Sequence, residues 1–111
     1  DVYKRQYLKD PYCGHGFSVS AFHDLYMLTT AMHQVSNYRD VNEALPILMI
    51  RGSEDPCTGY EKGAKDSVDT LKQAGFSNIS TITYPHMRHE ILNEKENEKV
   101  YADVIAFYEK T

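Results

Sequence analysis

The stretch Leu45-Pro46-Ile47-Leu48-Met49-Ile50-Arg51-Gly52-Ser53-Glu54-Asp55-Pro56 decides the architecture. From Pro46 to Ile50 the run is continuously apolar rather than alternating, so a strand made from it needs burial on both faces, as in the centre of a parallel sheet. The polar segment Gly52–Pro56 follows, with glycine and proline as breakers, and predicts the loop leaving that strand's carboxyl end. Downstream, Tyr60, Ala64, Val68 and Leu71 recur at helical spacing, and Glu61, Lys62, Lys65, Asp66, Asp69 and Lys72 take the other face. This predicts an amphipathic helix over 59–74. Gly75 supplies the left-handed residue that ends it. The β-branched stretch Ile79-Ser80-Thr81-Ile82-Thr83-Tyr84 predicts a second strand, closed by Pro85. His86–Glu90 then forms a loop, and after Asn93 the residues Val100, Tyr101, Val104, Ile105 and Tyr108 predict a final helix.

Upstream of the deciding stretch, Phe22, Leu25, Tyr26, Met32 and Val35 predict a helix over 19–37, with Ser18 or Ser20 as its N-cap. Asn42–Leu45 is a short connector. The order helix, strand, helix, strand, helix is α/β, and crossovers of this length favour parallel strands. Two strands make a poor sheet, because a buried parallel strand needs neighbours and helices on both faces.

Composition narrows the function. The chain has 111 residues, fewer than one typical domain of roughly 150. A chain this short buries only about two-thirds of the surface its unfolded form exposes, so it has little stability to spare. Twelve Lys and Arg against sixteen Asp and Glu give a net charge of −4, spread along the chain, which argues against nucleic acid and anionic membrane as partners. An apolar content of 41% with four prolines and six glycines is that of a globular protein. No apolar run approaches the roughly twenty residues that span a bilayer. The beginning, Asp1–Gln6, is charged, has no initiator Met and no apolar core of a signal peptide. Residues 1–6 resemble adaptor read-through and are expected to be non-native. The expected location is cytoplasmic. Cys13 and Cys57 are too few for a disulfide scaffold, and both are expected to be thiols.

In α/β sheets, reactive groups sit on the loops beyond the strands' carboxyl ends. The first such loop carries Asp55 and the second carries His89. An Asp and a His at the same end of adjacent parallel strands can meet. The carboxylate then fixes the imidazole tautomer, and the other ring nitrogen takes a proton from a nucleophile. The order Asp then His is that of the last two triad members of α/β hydrolases.

Two segments carry a family resemblance: the deciding stretch, and Tyr84-Pro85-His86-Met87-Arg88-His89-Glu90-Ile91-Leu92-Asn93-Glu94. They resemble the carboxyl-terminal part of α/β hydrolases of the serine aminopeptidase S33 or monoacylglycerol lipase and lysophospholipase type. Arg88–Glu94 is the most specific element. The resemblance implies that Asp55 is the triad acid and His89 the general base. Asp10-Pro11-Tyr12-Cys13 and the helix after it look like the end of the family's cap over an acyl pocket. The implied organisation is a cap region over 7–44 and the carboxyl-terminal part of the hydrolase core over 45–111. The implied activity is cleavage of a lipid-like acyl ester by a serine hydrolase without a cofactor. A peptidase of the same fold and a non-catalytic binding module are the alternatives.

The family's Gly-x-Ser-x-Gly nucleophile turn does not occur among these residues. In Gly14-His15-Gly16-Phe17-Ser18 the glycines frame His15, and Ser18 opens a helix without a preceding strand. The oxyanion-hole segment is missing too. This leaves two triad members of three, and the nucleophile is expected from a part of the enzyme outside the chain. Other residues have plainer readings. His86, His89 and Glu90 read His-x-x-His-Glu, which matches neither common zinc-peptidase order, so no metal is expected. Cys57 is set aside as a nucleophile because the Asp55 carboxylate two residues away opposes a thiolate. Arg88 and Glu90 are read as loop-fixing residues. His15, His23 and His33 are read as exposed or cap-lining. Phe22, Tyr26, Met27 and Met32 are read first as helix packing and second as an acyl channel.

Overall fold

The computed structural model describes residues 2–110. They form two compact units, divided between Gln34 and Val35.

The first unit holds α1 (Val2–Lys9) and α2 (Val19–His33). Ser18 is the N-cap of α2: its backbone is extended and its hydroxyl accepts the Ala21 N–H at 3.1 Å, satisfying one of the donors that every helix start leaves unpaired. The helix is shorter than its apolar spacing predicts. It stops at His33 because Gln34 turns to extended backbone, and Val35–Asn37 follows as a separate 3₁₀ turn. No residue of α2 is buried. The side chains of Phe22, Tyr26, Met27 and Met32 are exposed, and the Phe22 ring meets Phe17 edge to face at 5.3 Å between centroids.

The second unit contains β1 (Ile47–Gly52), α3 (Tyr60–Gln73), β2 (Ile79–Tyr84) and α4 (Asn97–Lys110). β1 and β2 are parallel and in register from Ile47 beside Ile79 to Gly52 beside Tyr84. Their carboxyl ends therefore coincide. α3 makes the crossover, as its 14 amphipathic residues predict. Gly75, at φ +105°, ends the segment after α3. The connector before β1 packs against this turn. The Glu43 carbonyl accepts from the Ser77 amide and hydroxyl, Ala44 accepts from the Asn78 side chain, and the Tyr38 and Phe76 rings meet edge to face. Residues 35–44 thus fold with the strands.

α4 begins at Asn97, later than the sequence pattern suggests, because Ile91–Asn93 forms its own 3₁₀ turn first. Tyr101 and Asn97 both donate to the Leu92 carbonyl and tie that turn to the helix. The core consists of Tyr84, Met87, Ile91 and Val100, with Ile50 and Ile82 packed against it. It lies at the carboxyl end of the sheet, directly beneath the two loops that follow the strands. Tyr84 is 1% exposed, and its hydroxyl donates to Asp103 of α4 at 3.0 Å. Burial, reinforced by Asp103, pushes its phenol up to about 12.

Candidate active site

The loop after β1 and the loop after β2 are fastened to each other before either reaches a reactive group. Ser53 N–H donates to the Tyr84 carbonyl at 2.8 Å, and Glu54 N–H donates to the Met87 carbonyl at 2.9 Å. His86 N–H donates to the Ser53 hydroxyl at 2.9 Å, and the His86 ring meets the Glu54 carboxylate at 3.2 Å. The approach is so close that a Cβ on Gly52 would stand 2.2 Å from the Met87 carbonyl oxygen. Only glycine fits there. The buried Met87 side chain anchors the second loop in the core from below, and Glu94 accepts the Arg88 N–H from beyond it.

This scaffold brings Asp55 and His89 together. His89 Nδ1 lies 3.1 Å from Asp55 Oδ2 across 34 residues of sequence. Asp55 is 2% exposed, yet each carboxylate oxygen has a donor, because Oδ1 accepts the Cys57 N–H at 2.8 Å. Burial alone raises this carboxyl. The His89 hydrogen bond, the Cys57 amide, the positive character of His89 and the Thr58 amide more than offset it and hold Asp55 below the usual carboxylate value. An ionised carboxylate only accepts hydrogen bonds, so His89 carries a proton on Nδ1, and in the neutral ring Nε2 is then the acceptor. The His89 side chain is 63% exposed, and Nε2 has no partner among the described residues. The arrangement can therefore take a proton from a group brought up to Nε2 while the buried carboxylate stabilises the resulting imidazolium.

The remaining histidines stand apart from this pair in chemistry. His15, His23 and His33 are exposed and bonded within their own segments, to Pro11, Asp24 and Thr29. His86 is fastened to Glu54, and Glu90 accepts from Asn93, so the His-x-x-His-Glu string does not converge on one point. Cys13 and Cys57 are free thiols. The Ser53–His86 and Glu54–His86 contacts escaped sequence reasoning, since nothing in a lone Gly-Ser-Glu marks it as the partner of a loop 32 residues away. The place of Cys57 escaped it too: its sulfur lies within 4.8 Å of ligating atoms of both Asp55 and His89.

A parallel β1–α3–β2 unit with an Asp and a His meeting beyond its carboxyl edge is consistent with a portion of an α/β-hydrolase fold. The pattern of the family described as serine aminopeptidase, S33, matches residues 2–96, and the chain belongs to that family. The chain is also 37% identical over 59 residues to a protein named acyl-protein thioesterase 1 from Gibberella zeae. That match takes in 53% of this chain and 24% of the relative, so the chain spans about a quarter of the curated protein it resembles. No described helix is long and apolar enough to cross a membrane.

Proposed function

We propose that this chain supplies the acid and the base of a Ser-His-Asp triad in a hydrolase of carboxylic esters, of the monoacylglycerol or lysophospholipid type. The observation that carries this reading is the 3.1 Å contact between Asp55 Oδ2 and His89 Nδ1 at the matched carboxyl ends of β1 and β2. Asp55 holds the imidazole in the Nδ1–H tautomer. Nε2 removes the proton from a serine hydroxyl as it attacks the ester carbonyl, and returns that proton to the leaving alkoxide. In the second half Nε2 activates water to release the acyl group. The serine and the oxyanion donors come from a segment of the enzyme outside these 111 residues. The end of its cap lies within residues 7–44, of which 35–44 fold with the strands. The acyl-protein thioesterase likeness supports an acyl ester or thioester over a peptide as substrate.

The test is made in the protein that carries this chain together with the nucleophile segment. Asp55→Asn is expected to lower kcat by about 10⁴-fold with little change in KM, because the amide favours the wrong imidazole tautomer. His89→Ala should abolish both ester turnover and labelling of the serine by a fluorophosphonate. Turnover within about tenfold of wild type in either variant overturns the assignment, since one triad member is worth orders of magnitude. A nucleophile segment without serine would favour the non-catalytic module instead.

A further inference from the structure

We propose that Asp55, Cys57 and His89 form a binding site for a thiophilic divalent cation, zinc being the type case, and that occupancy switches the Asp–His pair off. One ligating atom from each residue lies within 4.8 Å of the others. The three donors are a carboxylate oxygen, a thiol sulfur and an imidazole nitrogen, the set that zinc takes in tetrahedral sites. The 3.1 Å between Asp55 Oδ2 and His89 Nδ1 is close to the roughly 3.3 Å edge that two such ligands span on tetrahedral zinc at bond lengths of about 2.05 Å. Small side-chain rotations close the remaining distance to sulfur. Asp55 is buried, whereas Cys57 and His89 are exposed, so the cation reaches the site from solvent against a fixed anionic floor. Water completes the fourth position.

The protons balance simply. The thiol proton leaves to solvent as the sulfur binds the cation, because a coordinating thiol is deprotonated. The imidazole stays neutral, and its proton moves from Nδ1 to Nε2 as Nδ1 takes the metal. That shift reverses the polarity needed for general-base chemistry: Nε2 becomes a donor and Asp55 is spent on the cation. The inhibitory consequence rests on the hydrolase reading above. The binding site itself does not.

The experiment uses the protein that carries this chain together with the nucleophile segment, and reads binding rather than turnover. Zinc is titrated against a chromophoric chelator, and cobalt(II) is used as the spectroscopic substitute. One cation should bind per chain, and the cobalt form should show a thiolate-to-cobalt charge-transfer band. Cys57→Ser should abolish that band and Cys13→Ser should leave it. Cys57→Ser and His89→Gln should each weaken zinc binding by at least about 100-fold, the upper end of what even outer-shell changes produce. Both side chains are exposed, so neither substitution disturbs the core. Nitrogen-15 spectra of the His89 ring should show the proton moving from Nδ1 to Nε2 as zinc is added. The site is overturned if both variants bind zinc as wild type does, if the band follows Cys13, or if the proton stays on Nδ1 in the zinc-bound chain. The hydrolase reading fails on different evidence, the ester turnover of Asp55→Asn and His89→Ala.

Discussion

At the scale of single residues, a few side chains and one missing side chain hold the candidate site in place. Gly52 is needed because backbone carbonyls of Met87 and Arg88 stand 2.2 and 2.4 Å from where a Cβ would lie. Gly52→Ala should therefore cost about 1–3 kcal/mol, as overpacking does, and lower the urea midpoint. It should also loosen the Asp55–His89 contact, visible as faster exchange of the His89 Nδ1 proton. Tyr84 gives a prediction in pH. Below its ordinary value of 10.0 the phenol is neutral in both folded and unfolded chains, and its burial and its bond to Asp103 contribute fully. Between 10.0 and about 12 the unfolded chain loses the proton while the folded chain keeps it. Stability from this group thus falls as pH rises through that window. Tyr84→Phe should be less stable at neutral pH and should lose less on going to high pH. Thermal midpoints of the two proteins measured in parallel should converge as the alkaline limit is approached; a constant gap would show that Tyr84 does not titrate in this way.

At the scale of elements, α3 does more than join the strands. Its first turn starts from Gly59 and Tyr60, both at positive φ, and the chain doubles back so tightly that a Cβ on Gly63 would stand 2.1 Å from the Thr58 carbonyl. In an ordinary helix interior, replacing glycine with alanine gains about 1 kcal/mol. At Gly63 the sign should reverse, because the obstacle is backbone and the loop carrying Asp55, Cys57 and Thr58 would have to move. Denaturant unfolding should show Gly63→Ala below wild type, and a stabilised variant would contradict the account. In the other unit, Ser18→Ala should cost α2 about 1 kcal/mol by leaving the Ala21 amide without its acceptor, read as lost ellipticity and as faster exchange of that amide.

At the scale of the whole molecule, the sheet has two strands in the order β1, β2, so among the described residues β1 is hydrogen-bonded on one edge alone. That edge belongs to the most apolar strand of the chain, and such edges recruit further strands. Expressed by itself, the 111-residue chain should associate in size-exclusion chromatography. It should also show no hydrolysis of a short-chain p-nitrophenyl ester, since among the described residues no serine is hydrogen-bonded to His89, whose partner there is Asp55 alone. A soluble monomer whose turnover is abolished by His89→Ala would overturn both expectations and would require a nucleophile within these residues.

The sequence by itself determined the elements and their order. An apolar run bounded by Pro46 and Gly52, a two-sided helix and a β-branched run placed β1, α3 and β2 to within a residue or two, because burial pattern and chain breakers are local properties. It also singled out Asp55 and His89, since parallel strands deliver the loops after them to one end. Only the tertiary structure decided what depends on contacts across 30 or more residues. Local spacing could not show that Val35 leaves the helix that precedes it, because the residues that hold 35–44 are Ser77, Asn78 and Phe76. Nor could it show that Ser53 and Glu54 fasten His86, or that the Cys57 sulfur lies within 4.8 Å of ligating atoms of Asp55 and His89 while its amide caps Asp55. Those arrangements follow from the register of β1 on β2 and from the glycine that lets two backbones approach, and neither is encoded within a single segment.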